Sequence, residues 1–119
     1  MILVVDDEKA ITSALKTVLT SEGFEVCTAA HGGEAYDILK KNDCDCVLLD
    51  VNMPEINGIE LLILLQAEGI HVPTIVMATF GDFSEMEMKQ FESVVAYLPK
   101  PFEMSQMVEK IRDCIAQHE

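Results

Sequence analysis

Five short apolar runs alternate with amphipathic stretches along the whole chain, and this alternation constrains the fold more than any other feature. Ile2-Leu3-Val4-Val5 stops at Asp6-Asp7-Glu8, and Glu25 to Ala29 reads as a second strand. Cys46-Val47-Leu48-Leu49 runs unbroken into Asp50, Thr74 to Met77 follows Pro73, and Val94 to Leu98 precedes Pro99-Lys100-Pro101. An apolar run with no polar interruption suits a strand buried on both faces. Between the runs the spacing turns helical. Ile11, Leu15, Val18 and Leu19 recur over Lys9 to Glu22, before Gly23, and Ala35, Ile38 and Leu39 mark the inner side of Gly33 to Lys41. Further helices are expected from Gly58 to Glu68, from Phe83 to Glu92, and from Met104 to Ala116 with Met107, Val108, Ile111 and Ile115 inward. Strands alternating with helices predict an open parallel α/β sheet covered on both faces, and right-handed crossovers leave few topologies for it. No repeat, low-complexity tract or linker interrupts the pattern, so residues 1–119 are expected to form a single domain.

A net charge of -13, with 8 Lys and Arg against 21 Asp and Glu, argues against direct binding to DNA, where phosphates must be neutralised. Most of these carboxylates are read as a solubilising surface. Cys44 and Cys46 form a C-x-C pair, but no second Cys or His cluster completes a zinc site with them, and His31, His71 and His118 are scattered. Met1 leads into a short apolar run without a basic leader, and every apolar stretch is far shorter than a membrane span. Reduced thiols in a cytoplasmic protein that contacts no membrane are therefore expected.

In an open parallel sheet, ligands bind beyond the carboxyl ends of the strands, where the strand order reverses. Asp6 and Asp7 fall at the end of the first predicted strand, Asp50 at the end of the third, and Lys100 just past the fifth. Taken singly, an Asp at a strand end is ordinary, and acidic residues in a first helical turn are favoured by the helix dipole. Together the four should meet at one edge of the sheet. Three carboxylates packed closely repel one another unless a cation lies among them. Mg²⁺ suits such a set, since it takes oxygen ligands, keeps several waters and accepts one or two carboxylates plus a phosphate oxygen, and Mn²⁺ is an admissible substitute. Lys100 would then face the remaining phosphate oxygens.

The segments Val4-Val5-Asp6-Asp7-Glu8, Leu48-Leu49-Asp50-Val51-Asn52-Met53-Pro54-Glu55-Ile56-Asn57-Gly58 and Tyr97-Leu98-Pro99-Lys100-Pro101-Phe102 resemble the three signature segments of response-regulator receivers, at similar spacing. The resemblance covers essentially the whole chain. It implies a doubly wound, flavodoxin-like sheet of five parallel strands in the order 2-1-3-4-5 with five helices. It also implies that Asp50 is the phosphoacceptor, attacking a phosphohistidine on a sensor histidine kinase or phosphotransfer protein. Asp7 would bind the metal directly and Asp6 mainly through water. Asp50 and the backbone carbonyl of Asn52 would complete the ligand set, Lys100 would pair with the phosphoryl group, and the Lys100–Pro101 bond would be cis. Such a protein is not an enzyme beyond its own phosphorylation and dephosphorylation.

One departure stands out. Receivers usually carry Thr or Ser at the end of the fourth strand as a switch residue that bonds the phosphoryl group. Counting from Asp50 and from Lys100 places Ala78 there, with Thr79 one residue later. Either the hydroxyl is lost, or a local shift of the strand end lets Thr79 serve. A one-residue slip reverses side-chain direction, so Thr79 would need a bulge, and Ala78 is the preferred reading. Tyr97 matches the aromatic that follows the switch hydroxyl, beside a plain reading as a half-buried strand tyrosine. With Ala78 in place, phosphorylation is expected to persist while the conformational response is muted. By the resemblance, Asn52 and Phe80 flank the path of the hydrolytic water.

The last predicted helix ends near Gln117, leaving open a stand-alone receiver or one cut from a longer chain. Output is expected through a downstream protein target or effector domain, with the fourth and fifth helices available for dimerisation. A phosphate-independent interaction module on the same fold is the rival reading. A hydrolase with an aspartyl-phosphate intermediate ranks last, because Asn52 stands where its second carboxylate is needed.

Overall fold

The computed structural model describes residues 1–41, 43–53, 56–79 and 90–117. In chain order these form β1 (Ile2–Val5), α1 (Lys9–Ser21), β2 (Val26–Ala29), α2 (Gly32–Lys41), β3 (Cys46–Asp50), α3 (Gly58–Ala67), β4 (Thr74–Thr79), β5 (Val94–Lys100) and α4 (Met104–Gln117). The five strands are parallel in the order β2-β1-β3-β4-β5, the doubly wound flavodoxin-like topology expected.

Alternation along the strands divides the core in two. Leu3, Val5, Val47, Leu49, Val76 and Ala78 pack with Ala35 and Leu39 of α2 and Leu61, Leu62 and Leu65 of α3. Ile2, Val4, Cys46, Leu48, Ile75 and Met77 pack on the other face with Leu15 and Leu19 of α1 and Met107, Ile111 and Cys114 of α4. Every residue of β3 is buried, which explains why its sequence shows no alternation. Burying these side chains contributes roughly 1.5–3 kcal/mol for each large aliphatic.

Helix ends follow local chemistry. Gly23 and Gly69, just past α1 and α3, have φ of 95° and 71°, where an L side chain is strained. At the start of α3 the Asn57 side chain accepts from Glu60 N at 2.9 Å, and Glu60 accepts from Asn57 N at 3.3 Å, a reciprocal cap.

Several sequence-based boundaries move. β4 runs on to Thr79 and β5 to Lys100, because Ala78 pairs with Pro99 and Thr79 with Lys100. Lys100 is therefore the last strand residue rather than one just beyond. On α1 it is Thr12 that is buried, its hydroxyl donating to Lys9 O at 3.1 Å, while Ile11 and Val18 are only partly covered. On α4, Cys114 takes the core position, with Val108 and Ile115 at its margins. The helix expected over 83–92 falls largely outside the described residues. Its final part is corrected, since Phe91–Ser93 is not helical and Val94 N bonds Phe91 O at 3.0 Å, a turn leading into β5. Four helices are thus described, against the five expected.

Candidate functional site

The carboxyl ends of β1, β3 and β5 bring four charged side chains to one place. Carboxylate oxygens of Asp6, Asp7 and Asp50 all lie within 4.8 Å of one another. Asp6 and Asp50 are only 1% and 4% exposed, whereas Asp7 is exposed. Lys100 reaches both buried acids, Nζ standing 3.1 Å from Asp6 Oδ2 and 3.5 Å from Asp50 Oδ1.

Backbone donors hold the second oxygen of Asp6 and, on Asp50, the same Oδ1 that Lys100 approaches. Glu8 N donates to Asp6 Oδ1 at 3.0 Å, and Asn52 N donates to Asp50 Oδ1 at 3.2 Å. The second contact orients the acid and folds the chain after β3 back on itself. That turn is held from above by α3: Gly58 N donates to Val51 O at 3.0 Å. A Cβ on Gly58 would fall 2.6 Å from Asp50 O and 2.7 Å from Val51 Cα, so the absent side chain lets the helix press onto the backbone carrying Asp50. Gly32, at the start of α2, plays the same part for Ile56, whose Cγ2 would meet an added Cβ at 2.6 Å. Sequence patterning marked Gly58 as a helix start and missed both close approaches.

The electrostatics of the cluster are unbalanced. Burial, then the neighbouring charge of Asp6, push the Asp50 carboxyl up from 3.8 to about 6, against the pull of Lys100 and of Asn52 N. Burial alone would lower Lys100, but its hydrogen bond to Asp6 and the charge of Asp50 outweigh that, leaving the ammonium held above its ordinary value. One ammonium thus serves two buried acids, with a third acid at the rim. Oxygen donors in excess of cationic charge are what a small hard divalent cation requires. The donor set fits Mg²⁺.

Lys100–Pro101 is a cis peptide, as the resemblance implies. Around the switch position, β4 and β5 pair regularly from Ile75 to Thr79, the register irregularity lying between Thr74 and Ile75. Ala78 is buried on the face shared with α2 and α3, and its carbonyl accepts from the Tyr97 hydroxyl at 3.2 Å. Thr79 is exposed and lines an apolar groove of about 510 Å³ with Ala10, Ile11, Lys100 and Phe102. Strand alternation therefore separates the two candidates for the switch hydroxyl, with no bulge to bring Thr79 round. Asn52 is exposed at the mouth of the site, and Phe80 lies outside the described residues. Of the sequence-predicted site residues, Asp6, Asp7, Asp50 and Lys100 converge, Asn52 adjoins them, and Tyr97 bonds Ala78.

Comparison with known proteins agrees with this geometry. Residues 2–112 match the family model described as the response regulator receiver domain. The response regulator MprA of Mycobacterium sp. (strain KMS) is 35% identical over 111 residues, covering 93% of this chain but 48% of that protein, so the chain spans about half the length of such curated relatives. Sporulation initiation phosphotransferase F of Bacillus subtilis (strain 168) is 31% identical over 117 residues, covering 98% of this chain and 91% of that one. Among solved structures, the response regulator TrrA of Thermotoga maritima, in complex with Mg²⁺-BeF, aligns with a TM-score of 0.82 and 31% identity, covering 95% of this chain and 96% of that chain.

Proposed function

The chain belongs to the response-regulator receiver family, and on that premise we propose that Asp50 accepts a phosphoryl group in a Mg²⁺-dependent transfer from a phosphohistidine. The observation that carries this reading is the convergence of Asp6, Asp7, Asp50 and Lys100 from three separate strand ends. An Asp50 carboxylate oxygen forms the bond to phosphorus, the N–P bond of the donor breaks, and its electron pair returns to the imidazole. Asn52 N fixes which oxygen of Asp50 is occupied, which favours attack by the other. Even raised to about 6, Asp50 is mostly ionised at neutral pH, as a nucleophile must be. Lys100, already between the two buried acids, is placed to pair with the transferred group.

Asp6, Asp7, Asp50 and the Asn52 carbonyl would hold the cation, whose contribution is to neutralise charge between nucleophile and phosphate oxygens. The same oxygen donors suit Mn²⁺. The donor would be a sensor histidine kinase or a phosphotransfer protein, and the output a contact with another protein or an attached domain. The acidity of the chain disfavours direct DNA binding. Among the described residues no helix is long and apolar enough to cross a membrane, and a cytoplasmic site of action accords with this reading.

Intact-mass measurement with a small-molecule phosphodonor and Mg²⁺ tests the proposal. Wild type should gain one phosphoryl group, and Asp50→Asn, or wild type with EDTA, should gain none. An unmodified wild type would favour a phosphate-independent interaction module.

The Ala78 departure favours a specific refinement. With no hydroxyl at position 78 and Tyr97 already bonded to the Ala78 carbonyl, phosphorylation should leave Tyr97 largely where it is. NMR during titration with fluoroberyllate and Mg²⁺ should therefore show large shifts near Asp50 and small ones at Tyr97, and Ala78→Thr should enlarge the latter. Large Tyr97 shifts in the wild type would sink the muted-switch reading.

A further inference from the structure

Two glycines stand side by side at the start of α2, and their surroundings differ. A Cβ on Gly33 would meet only the His31 ring, at 3.4 Å and 3.5 Å, which is ordinary contact. A Cβ on Gly32 would fall 2.6 Å from Ile56 Cγ2, 2.6 Å from Ile56 O and 2.8 Å from Ile56 Cβ. One of those atoms is backbone, so no change of rotamer relieves it. Ordinary packing would explain a glycine that touches only a flexible side chain. It does not explain one pressed on a carbonyl of the segment that follows Asp50.

Which side would yield to a larger residue depends on how each is held. On α2, Ala35 is fully buried and Leu39 nearly so. The Tyr36 hydroxyl donates to Glu68 Oε1, just past α3, at 2.9 Å, and Glu34 N donates to His31 Nδ1 at 3.2 Å, capping the first turn of α2. Beyond Ile56 the chain is held as firmly, by the reciprocal cap of Asn57 and Glu60 and by Gly58 against Asp50 O. Val51, at the other foot of the loop, is 3% exposed and accepts from Gly58 N. Between these feet the described residues are Asn52, exposed, Met53, buried, and Ile56, half-buried. A displacement of Ile56 is therefore passed back toward Asn52.

We propose that Gly32 is a positioning residue for the bound cation: its missing Cβ seats Ile56 against α2, and that seat sets where the Asn52 carbonyl stands. Its role rests on the Asn52 carbonyl being a metal ligand, as proposed for the site. A helix that contributes no ligand, α2, thereby takes part in holding Mg²⁺. Groups that orient a ligand without touching the metal govern affinity by roughly 10–100-fold. Asn52 N also donates to Asp50 Oδ1, so the same displacement would turn the acceptor carboxylate.

The test compares Gly32→Ala with Gly33→Ala, each against wild type. Both put alanine on the same helical turn and raise helix propensity, so they differ chiefly in the contact with Ile56. Thermal midpoints in EDTA and across a Mg²⁺ titration give an apparent dissociation constant for each protein, referred to its own metal-free midpoint. Gly33→Ala should match wild type. Gly32→Ala should bind Mg²⁺ roughly tenfold more weakly, the low end of the outer-shell range. A loss of stability alone would lower the EDTA midpoint and leave this constant unmoved. By NMR, the Asn52 carbonyl carbon of the metal-free protein should be displaced in Gly32→Ala and not in Gly33→Ala. If Gly32→Ala does not fold, Ile56→Ala empties the same contact instead of overfilling it, and it should also weaken Mg²⁺ binding. A constant unchanged from wild type in the folded variant, or an equal loss in Gly33→Ala, would overturn the proposal and leave the metal site standing. A wild type that Mg²⁺ does not stabilise would overturn the metal site itself, and this role with it.

Discussion

Lys100→Met should lower the stability of the metal-free protein by about 3 kcal/mol near pH 8, the low end of the cost of stripping one partner from a buried ion pair. Lys100 is the cation that the two buried acids share, at 3.1 Å and 3.5 Å, and methionine preserves the apolar stem while removing the charge. The low end is appropriate because the Lys100 side chain is 20% exposed and water screens part of the pair. The pH dependence follows from the direction of each shift. Lys100 is held above its ordinary value, so its contribution is fully present below the unfolded value of 10.5 and is lost only above the folded one. Near pH 8 the variant therefore forfeits all of it. Without the lysine, the Asp50 carboxyl rises further, and the penalty is relieved as the pH falls and that group takes up a proton. Urea unfolding in EDTA at about pH 8 and about pH 5 checks this. A difference under about 0.5 kcal/mol at the higher pH, within the range of an ordinary surface substitution, would mean that the cluster does not depend on its lysine.

The parts of this site that could be read from the sequence are those set by strand ends. Asp6, Asp50 and Lys100 each follow an apolar run, and a parallel sheet must bring such positions to one edge, whatever the detail of packing. The β3 run was legible because its burial on both faces removes the need for any period. Boundaries set by pairing were not. Nothing local extends β4 to Thr79 or β5 to Lys100; each continues because the other strand is there to bond it. Helix faces were legible to within one residue, and the errors at Thr12 and Cys114 arise because the rotation of a helix is settled by the sheet beneath it. Gly58 carries no pattern that announces a backbone 2.6 Å from where its Cβ would sit. At Ala78 the sequence left two candidates open, and regular pairing through Thr79 puts them on opposite faces, Ala78 buried beside Tyr97 and Thr79 exposed.

Asp50→Asn should make the metal-free protein more stable than wild type near pH 8, by an amount approaching 3 kcal/mol. The Asp50 carboxyl stands at about 6 in the fold against an ordinary 3.8, chiefly through burial and then through the charge of Asp6. At ~1.4 kcal/mol per pK unit, that gap is the free energy the fold gives up to keep this carboxyl ionised. An acid raised by folding stabilises the native state only while it is protonated. Its contribution is complete below about 3.8 and is lost as the pH rises through about 6, so the advantage of asparagine should be full at pH 8 and absent near pH 4. Asparagine keeps an oxygen for Asn52 N and brings no charge, so the gain is not offset by a broken turn. In thermal unfolding with EDTA the difference corresponds to roughly 10 °C. A cation bound by the native cluster should reverse the order, since it stabilises only the state that binds it, by RT ln(1 + [L]/Kd), and it binds the carboxylate better than the amide. Adding Mg²⁺ should thus raise the midpoint of wild type well beyond that of Asp50→Asn. If the variant were no more stable than wild type at about pH 8 in EDTA, the buried charge on Asp50 would not be strained. If Mg²⁺ stabilised both proteins equally, the cation would be bound without Asp50.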